Sequence, residues 1–338
     1  MRNFKDYFTI FSKGLAMGAA DVVPGVSGGT IAFIAGIYDE LLDSISSINF
    51  GLIQVFKEDG IAGVWKKVNG NFMLALLSGI AVSILSLAKL LTHAMHFYPI
   101  QLWSFFFGLI IASIWYVGVQ IKKWDIYAIL GLVAATAFVY WLSVTPPLGS
   151  NNSYVFLFFA GAIAACAMIL PGISGSFILL LLGAYATVIT AVGNHDFLTV
   201  GVVGLGAATG LISFSTLLKY LLSKYHNTLI AILTGFLIGS LWKIWPWKKD
   251  QYVYVKDVGE THSSEVLGEY ASLTAFMKNQ NTDTFESIKA YVEQNILPGT
   301  YETLNPGTSN ELISSIIFTI LGFSIIFIIE FLATRKNV

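Results

Sequence analysis

Two short stretches hold the residues most able to do chemistry. Pro24-Gly25-Val26-Ser27-Gly28-Gly29-Thr30 lies in an apolar run near the N-terminus, and Pro171-Gly172-Ile173-Ser174-Gly175-Ser176 lies in another, 147 positions later. Ile31, Gly36 and Tyr38 recur as Ile178, Gly183 and Tyr185, so seven of the fifteen positions from Pro24 to Tyr38 are identical in the second copy. Proline and glycine break helices, and a break in hydrocarbon survives only where protein or a wet cavity satisfies the freed backbone. Gly25, Gly28 and Gly29 leave amides uncovered, and Ser27 and Thr30 add hydroxyl donors. Ser174, Gly175 and Ser176 offer a similar set at the second break. A helix opening near Gly28 would turn its first amides and positive dipole end towards the loop, which suits an anion. A single break of this kind is more often a kink or a packing seam. Its duplication favours a binding site, because paired broken helices surround the sites of membrane carriers.

Three further side chains are candidates. Asp21, three residues before Pro24, has no acidic counterpart, since Met168 holds its place in the second copy. An acid inside a span is a functional candidate by default, here for coupling a proton or a cation; capping of freed amides is the structural alternative. Lys89 and Lys219 occupy equivalent places when Ser83–Leu91 is aligned with Ser213–Leu221. Arginine occurs only as Arg2 and Arg335, so no guanidinium clamp is available within the spans, and lysine, amides and hydroxyls remain as anion ligands. Snorkelling to the interface is the competing role for each lysine. Asp39, Glu40 and Asp43 read as an interfacial acid cluster. His93, His96, His195, His226 and His262 sit in loops or at span ends without a metal-ligand pattern, and the lone Cys166 permits neither an intrachain disulfide nor a cysteine metal site. Neither a metal nor a cofactor is expected, nor a nucleic-acid partner.

The elements that must position these residues are membrane spans. The chain is 55% hydrophobic and 12% charged, with a mean hydropathy of +0.71. Between Asn71 and Trp245 the charged residues are Lys89, Lys122, Lys123, Asp125, Asp196, Lys219, Lys224 and Lys243. Continuous apolar runs of about 20 residues predict helical spans, not the alternating strands of a barrel. Six full spans are expected at about 71–92, 100–121, 126–145, 198–222, 228–246 and 311–333, with broken segments at about 14–45 and 155–193. A cleavable signal peptide is not expected, since Asp21 and Pro24 interrupt the first apolar run.

Loop charge sets the topology. Arg2, Lys5 and Lys13 precede the first broken segment, and Lys57, Lys66 and Lys67 follow it, so it should turn back to the cytoplasmic face as a re-entrant hairpin. The loop Thr92–Gln101 lacks lysine and arginine and is placed outside; Lys122 and Lys123 mark the inside; Thr145–Ser153, without charge, is outside. The second broken segment ends in Gly193-Asn194-His195-Asp196 and returns to its own side, Lys224 is inside, and Arg335 and Lys336 place the C-terminus inside. Gly108, Ser113 and Trp115 match Gly235, Ser240 and Trp242. Each unit, 1–150 and 151–338, is then a hairpin plus three spans. An odd span count inverts the second unit, an inverted-topology repeat. The stretch 246–310 has nine acids, five lysines and no arginine, and is expected as an external loop with a strand at Tyr252–Val255 and a short amphipathic helix at Phe285–Gln294.

Gly18-Ala19-Ala20-Asp21-Val22-Val23 running into the first motif, with Gly36-Ile37-Tyr38 after it, closely resembles the signature of the PopT family of bacterial inner-membrane proteins, and Leu170–Ser176 resembles its second signature. The resemblance implies a flippase that returns undecaprenyl phosphate, a polyprenyl-phosphate carrier lipid, from the outer to the inner leaflet of the cytoplasmic membrane for cell-wall synthesis. The residues themselves reach only an anion handled at two opposed breaks by alternating access. A carrier of a small soluble anion fits them too. A polyprenyl-diphosphate phosphatase fits poorly, because the spans lack arginine and a His-Asp pair.

Overall fold

The computed structural model describes residues 2–22, 27–145, 151–255, 288–304 and 309–334. In chain order the helices are α1 (Phe4–Val22), α2 (Gly28–Ile34), α3 (Tyr38–Ser46), α4 (Gly51–Lys67), α5 (Gly70–Phe97), α6 (Pro99–Gly118), α7 (Ile126–Val144), α8 (Tyr154–Ile169), α9 (Gly175–Leu181), α10 (Tyr185–Gly193), α11 (Phe197–Lys224) and α12 (His226–Ser240). A hairpin of β1 (Lys248–Val255) and β2 (Ile288–Asn295) follows, then α13 (Pro298–Leu304) and α14 (Leu312–Thr334). Helices α5, α6, α7 and α11 are each long and apolar enough to cross a membrane. The protein is a polytopic, mainly helical membrane protein.

Three elements differ from the sequence expectation. Helix α12 stops at Ser240, short of the expected 228–246, and its 15 residues span about 22 Å against a hydrocarbon core of about 30 Å. Residues 241–244 form turns after it, and Pro246, which has no amide and disfavours helix in the residue before it, bars helix from Trp245 onwards. The expected helix at Phe285–Gln294 is a strand from Ile288 onwards, paired antiparallel with β1 so that Val255 faces Ile288 and Lys248 faces Asn295. Ile288, Ala290 and Val292 alternate there with Lys289, Tyr291 and Glu293, a period-two pattern that a strand satisfies once β1 supplies the ladder. The linker carrying Lys57, Lys66 and Lys67 folds into α4, none of whose residues is buried, with a non-helical break at Gly60.

Four close helix pairs build the body: α1 with α5, α8 with α11, α6 with α14, and α7 with α12. Glycine makes each seam. A Cβ on Gly79 would collide with the Phe11 carbonyl, one on Gly206 with Phe158, one on Gly108 with Thr319, and one on Gly235 with Leu132. Without competing water, such close backbone approach is a main source of helix association in a bilayer. The contact registers rise together along both partners. Gln101 bonds Glu311 and Ser104 bonds Ser315; Lys122 meets Asn227 and Thr136 meets Gly235. Phe11 meets Gly79 and Gly18 meets Ser83, while Phe158 meets Gly206 and Ala162 meets Gly210, so all four pairs are parallel.

Both broken segments double back. The Asp21 carboxylate meets the start of α2, while Lys13 Nζ reaches Ala35 O at its end (2.5 Å), so α2 runs back alongside α1. Arg2 then grips Glu40 of α3 through two bonds of 2.5 and 2.7 Å, and Asn69, just before α5, bonds the same carboxylate at 2.7 Å. Residue 40 has thus returned to the level where α1 begins. In the second unit, Thr187 donates to Asn152 Oδ1 at 2.8 Å, bringing α10 back to the start of α8. The hydrophobic core gathers around α2 and α3, where Leu42, Phe72, Leu76, Ile110, Leu233 and Leu237 are fully buried.

Replacing Gly108 by valine forces α6 from α14 at the Thr319 carbonyl, and should destabilise the protein by about 1–3 kcal/mol. Gly204→Ala, with open space around the new methyl, should be neutral or stabilising. Thermal unfolding in detergent distinguishes the two.

Candidate functional site

The two motif copies touch. Ser27 caps α2 by accepting the Gly29 N–H at 3.1 Å, and its hydroxyl donates to Leu170 O at 3.1 Å, with Met168 O at 3.3 Å. Thr30 Oγ1 in return accepts the Gly172 N–H at 3.0 Å. Both side chains are 0% exposed. Gly29 lies so close to the Ile169 carbonyl that no side chain would fit. The break in each unit thus supplies partners for polar groups of the other, which is how non-helical backbone is tolerated at membrane depth. Pro24 and Gly25 lie outside the described residues.

Asp21 closes the first loop from the α1 side. Its Oδ1 accepts the Gly28 N–H at 2.7 Å, and a Cβ on Gly28 would stand 2.5 Å from Oδ2. Oδ2 itself is buried without a hydrogen-bond partner. The second loop is differently wired. Ser174 makes no side-chain cap to α9 and pairs instead with Ser176, Oγ to Oγ 2.8 Å. Ser174 is 5% exposed, while Gly175 and Ser176 are half-buried. All seven residues of α2 are buried; in α9 only Ile178 and Leu181 are.

The repeated glycines downstream have a backbone explanation. Gly36 and Gly183 have φ of +67° and +69°. Gly36 and Ile37 donate to Phe33 O and Ala32 O, and Gly183 and Ala184 to Leu180 O and Leu179 O. Each is the left-handed residue that ends a short helix and satisfies its last carbonyls, turning the chain into α3 or α10.

The lysines fall elsewhere. Lys219 Nζ pairs with Asp43 Oδ1 at 2.7 Å, with side chains 54% and 59% exposed, so this candidate anion ligand is engaged on α3. Such an exposed pair contributes only about 0.2–1 kcal/mol. Lys89 lies in α5, and its side chain is outside the described residues. A lysine with no place among the sequence candidates stands beside the second loop: Lys243 Nζ lies 5.3 Å from the Phe177 ring centroid. Its signal in the sequence was only its isolation in an apolar stretch. A cavity of about 470 Å³ opens beyond the end of α2, among Phe33, Tyr38, Asp39, Trp115, Tyr116 and His226. Among the described residues no three histidine, cysteine, aspartate or glutamate side chains converge as a metal set would.

These features define a multi-pass helical membrane protein assembled around two interlocked helix breaks. Residues 17–262 match the VCA0040-like family, described as undecaprenyl phosphate translocase-like, and the chain belongs to that family. A polyprenyl-phosphate transporter of Vibrio cholerae serotype O1 (strain ATCC 39315 / El Tor Inaba N16961) is 49% identical over 255 residues, covering 75% of this chain and 83% of that protein. A polyprenyl-phosphate transporter of Staphylococcus aureus (strain NCTC 8325 / PS 47) is 32% identical over 253 residues, covering 69% and 84%. No solved structure matches the chain.

The unequal wiring of the two serines sets an expectation for stability. Ser27→Ala removes a cap and an inter-loop bond and should cost about 1–2 kcal/mol. Ser174→Ala removes only the Ser176 partner and should cost less than half as much. Denaturation of both variants in the same detergent tests the difference.

Proposed function

We propose that this protein carries polyprenyl phosphate, specifically undecaprenyl phosphate, from the outer to the inner leaflet of a bacterial cytoplasmic membrane, holding the phosphate between its two motif loops. The observation that carries this reading is the contact between the loops themselves. Four donors face one region: the Ser27 hydroxyl and the amides of Gly28, Gly29 and Gly172. Each has an internal acceptor in the structure. A phosphate placed between the loops offers the same donors charged oxygens, and charge-assisted bonds are roughly twice as strong as neutral ones. Ligand binding can therefore replace the bonds that hold the loops together. Ser174, Gly175 and Ser176 complete the set from the second unit. The lipid tail stays in the bilayer while the head group passes the loops. Both named relatives are polyprenyl-phosphate transporters, which supports the lipid as substrate.

Alternating access by an inverted repeat fits the packing. Helices α6 and α7 are successive spans of opposite direction. Because α6 is parallel to α14 and α7 to α12, the second span of unit 2 runs like the third span of unit 1. Two units in the same orientation would give antiparallel pairs. The return of residue 40 to Arg2 and of Thr187 to Asn152 supports two re-entrant hairpins entering from opposite faces. On this topology both termini are cytoplasmic, the 246–310 segment is external, and the cavity beside Phe33 and Tyr38 opens inward.

Asp21 is the coupling residue in this scheme. Its carboxylate occupies the Gly28 amide, and a phosphate arriving there meets a like charge. Binding then requires Asp21 to take up a proton or a cation, or to withdraw.

Transfer of undecaprenyl phosphate across liposomes carrying the purified protein tests both parts. Ser27→Ala combined with Ser174→Ala should slow transfer at least tenfold; an unchanged rate refutes the loop site. Excess inorganic phosphate should not compete, and strong competition would make this a soluble-anion carrier. Asp21→Asn should remove the response of transfer to an imposed proton or sodium gradient, and a variant that still follows the gradient excludes Asp21 as the coupling group.

A further inference from the structure

The polar pair in the second loop has an unassigned proton. Only one of the two hydroxyls can donate in the Ser174–Ser176 contact, and no further acceptor for either is found among the described residues. A cation, Lys243, stands on the neighbouring Phe177. Its backbone is fixed just past the end of α12, with its N–H on Ser240 O at 3.0 Å, and its ammonium lies over Phe177, 5.3 Å from the ring centroid. Ser174 and Phe177 are three residues apart at the start of α9, so they share one side of that turn. The ammonium therefore stands at the first turn of α9, which Ser174 precedes and in which Ser176 lies. Lys248 of β1 supports it, donating to Lys243 O at 2.6 Å, while the Lys248 ammonium sits 4.4 Å from the Trp103 ring centroid.

Among the described residues no lysine or arginine is found against a ring or hydroxyl of the first loop in this way. By the match of Trp115 with Trp242, the residue aligned with Lys243 is Tyr116, and the place of Phe177 is taken by Thr30. Positive charge next to the loops is thus found on the β-hairpin side, beside the more exposed of the two.

We propose that Lys243, with Ser174 and Ser176, forms the capture site for the phosphate monoester of a lipid at the second loop. A phosphate held by the two hydroxyls would meet the ammonium from the Phe177 side, exchanging a cation–π contact for a charge-assisted hydrogen bond. One-sided placement of the cation gives the two faces different affinities for the anionic head group, with capture favoured on the β-hairpin side. This inference rests on the transport reading above and adds the residue that selects for charge.

The test compares binding of polyprenyl phosphate and neutral polyprenol to the full-length protein in nanodiscs, for wild type, Lys243→Gln and Lys243→Arg. Wild type should prefer the phosphate. Lys243→Gln should lose about tenfold in phosphate affinity, the effect of one charged hydrogen bond, with polyprenol affinity unchanged; Lys243→Arg should stay within about threefold of wild type. If Lys243→Gln keeps the phosphate preference, or loses both lipids equally, the lysine has no capture role. If wild type itself shows no preference for the phosphate, the transport reading fails as well, an outcome distinct from failure of the lysine alone.

Discussion

A helix interrupted in hydrocarbon leaves amides and carbonyls that water cannot reach, and the rest of this structure depends on how those groups are satisfied. Here the first break satisfies its own amides through Asp21 and Ser27 and completes the second. Ser27 lends its hydroxyl proton to the Leu170 carbonyl, and Thr30 lends its oxygen to the Gly172 amide. The two motif copies are thereby bound to one another at their least regular points.

The surrounding helices enclose that centre. Parallel seams of glycine against carbonyl bring α1 to α5, α8 to α11, α6 to α14 and α7 to α12. Two of these pairs join helices close in sequence, and two join helices from the first half of the chain to helices from the second. Gly36 and Gly183 end short helices and turn the chain, and Arg2 on Glu40 and Thr187 on Asn152 tie the helices that follow to the starts of α1 and α8. The units are alike in backbone and unlike in wiring. In the first, serine caps a buried helix with an acid beside it; in the second, two serines pair at a more exposed helix with a lysine nearby.

Charge distribution shows the limit of arguing by repeat symmetry. Lys219 stood out because Lys89 aligned with it, yet its ammonium rests on Asp43 at the surface. Lys243 has no symmetric partner, but the turn after α12 brings it against Phe177. The β-hairpin reading was similarly local: Tyr252–Val255 showed its strand, while the partner strand looked helical until the pairing with β1 was seen.

The sequence by itself determined that this is a polytopic helical membrane protein with two related breaks, because hydropathy, helix-breaking residues and repeated spacing are properties of the chain in order. Family membership was legible for the same reason, in the residues around Asp21 to Thr30 and Leu170 to Ser176. The recurrence of Gly36 as Gly183 was legible in the sequence, but their role as left-handed helix ends came from the backbone. Only the tertiary structure decided that Ser27 and Thr30 bond across to the other copy, that Asp21 lies on the Gly28 amide, and that Lys243, not Lys219, stands at the second loop. Those facts depend on distances between residues far apart in the chain, fixed by glycine seams and turn geometry that no local pattern encodes.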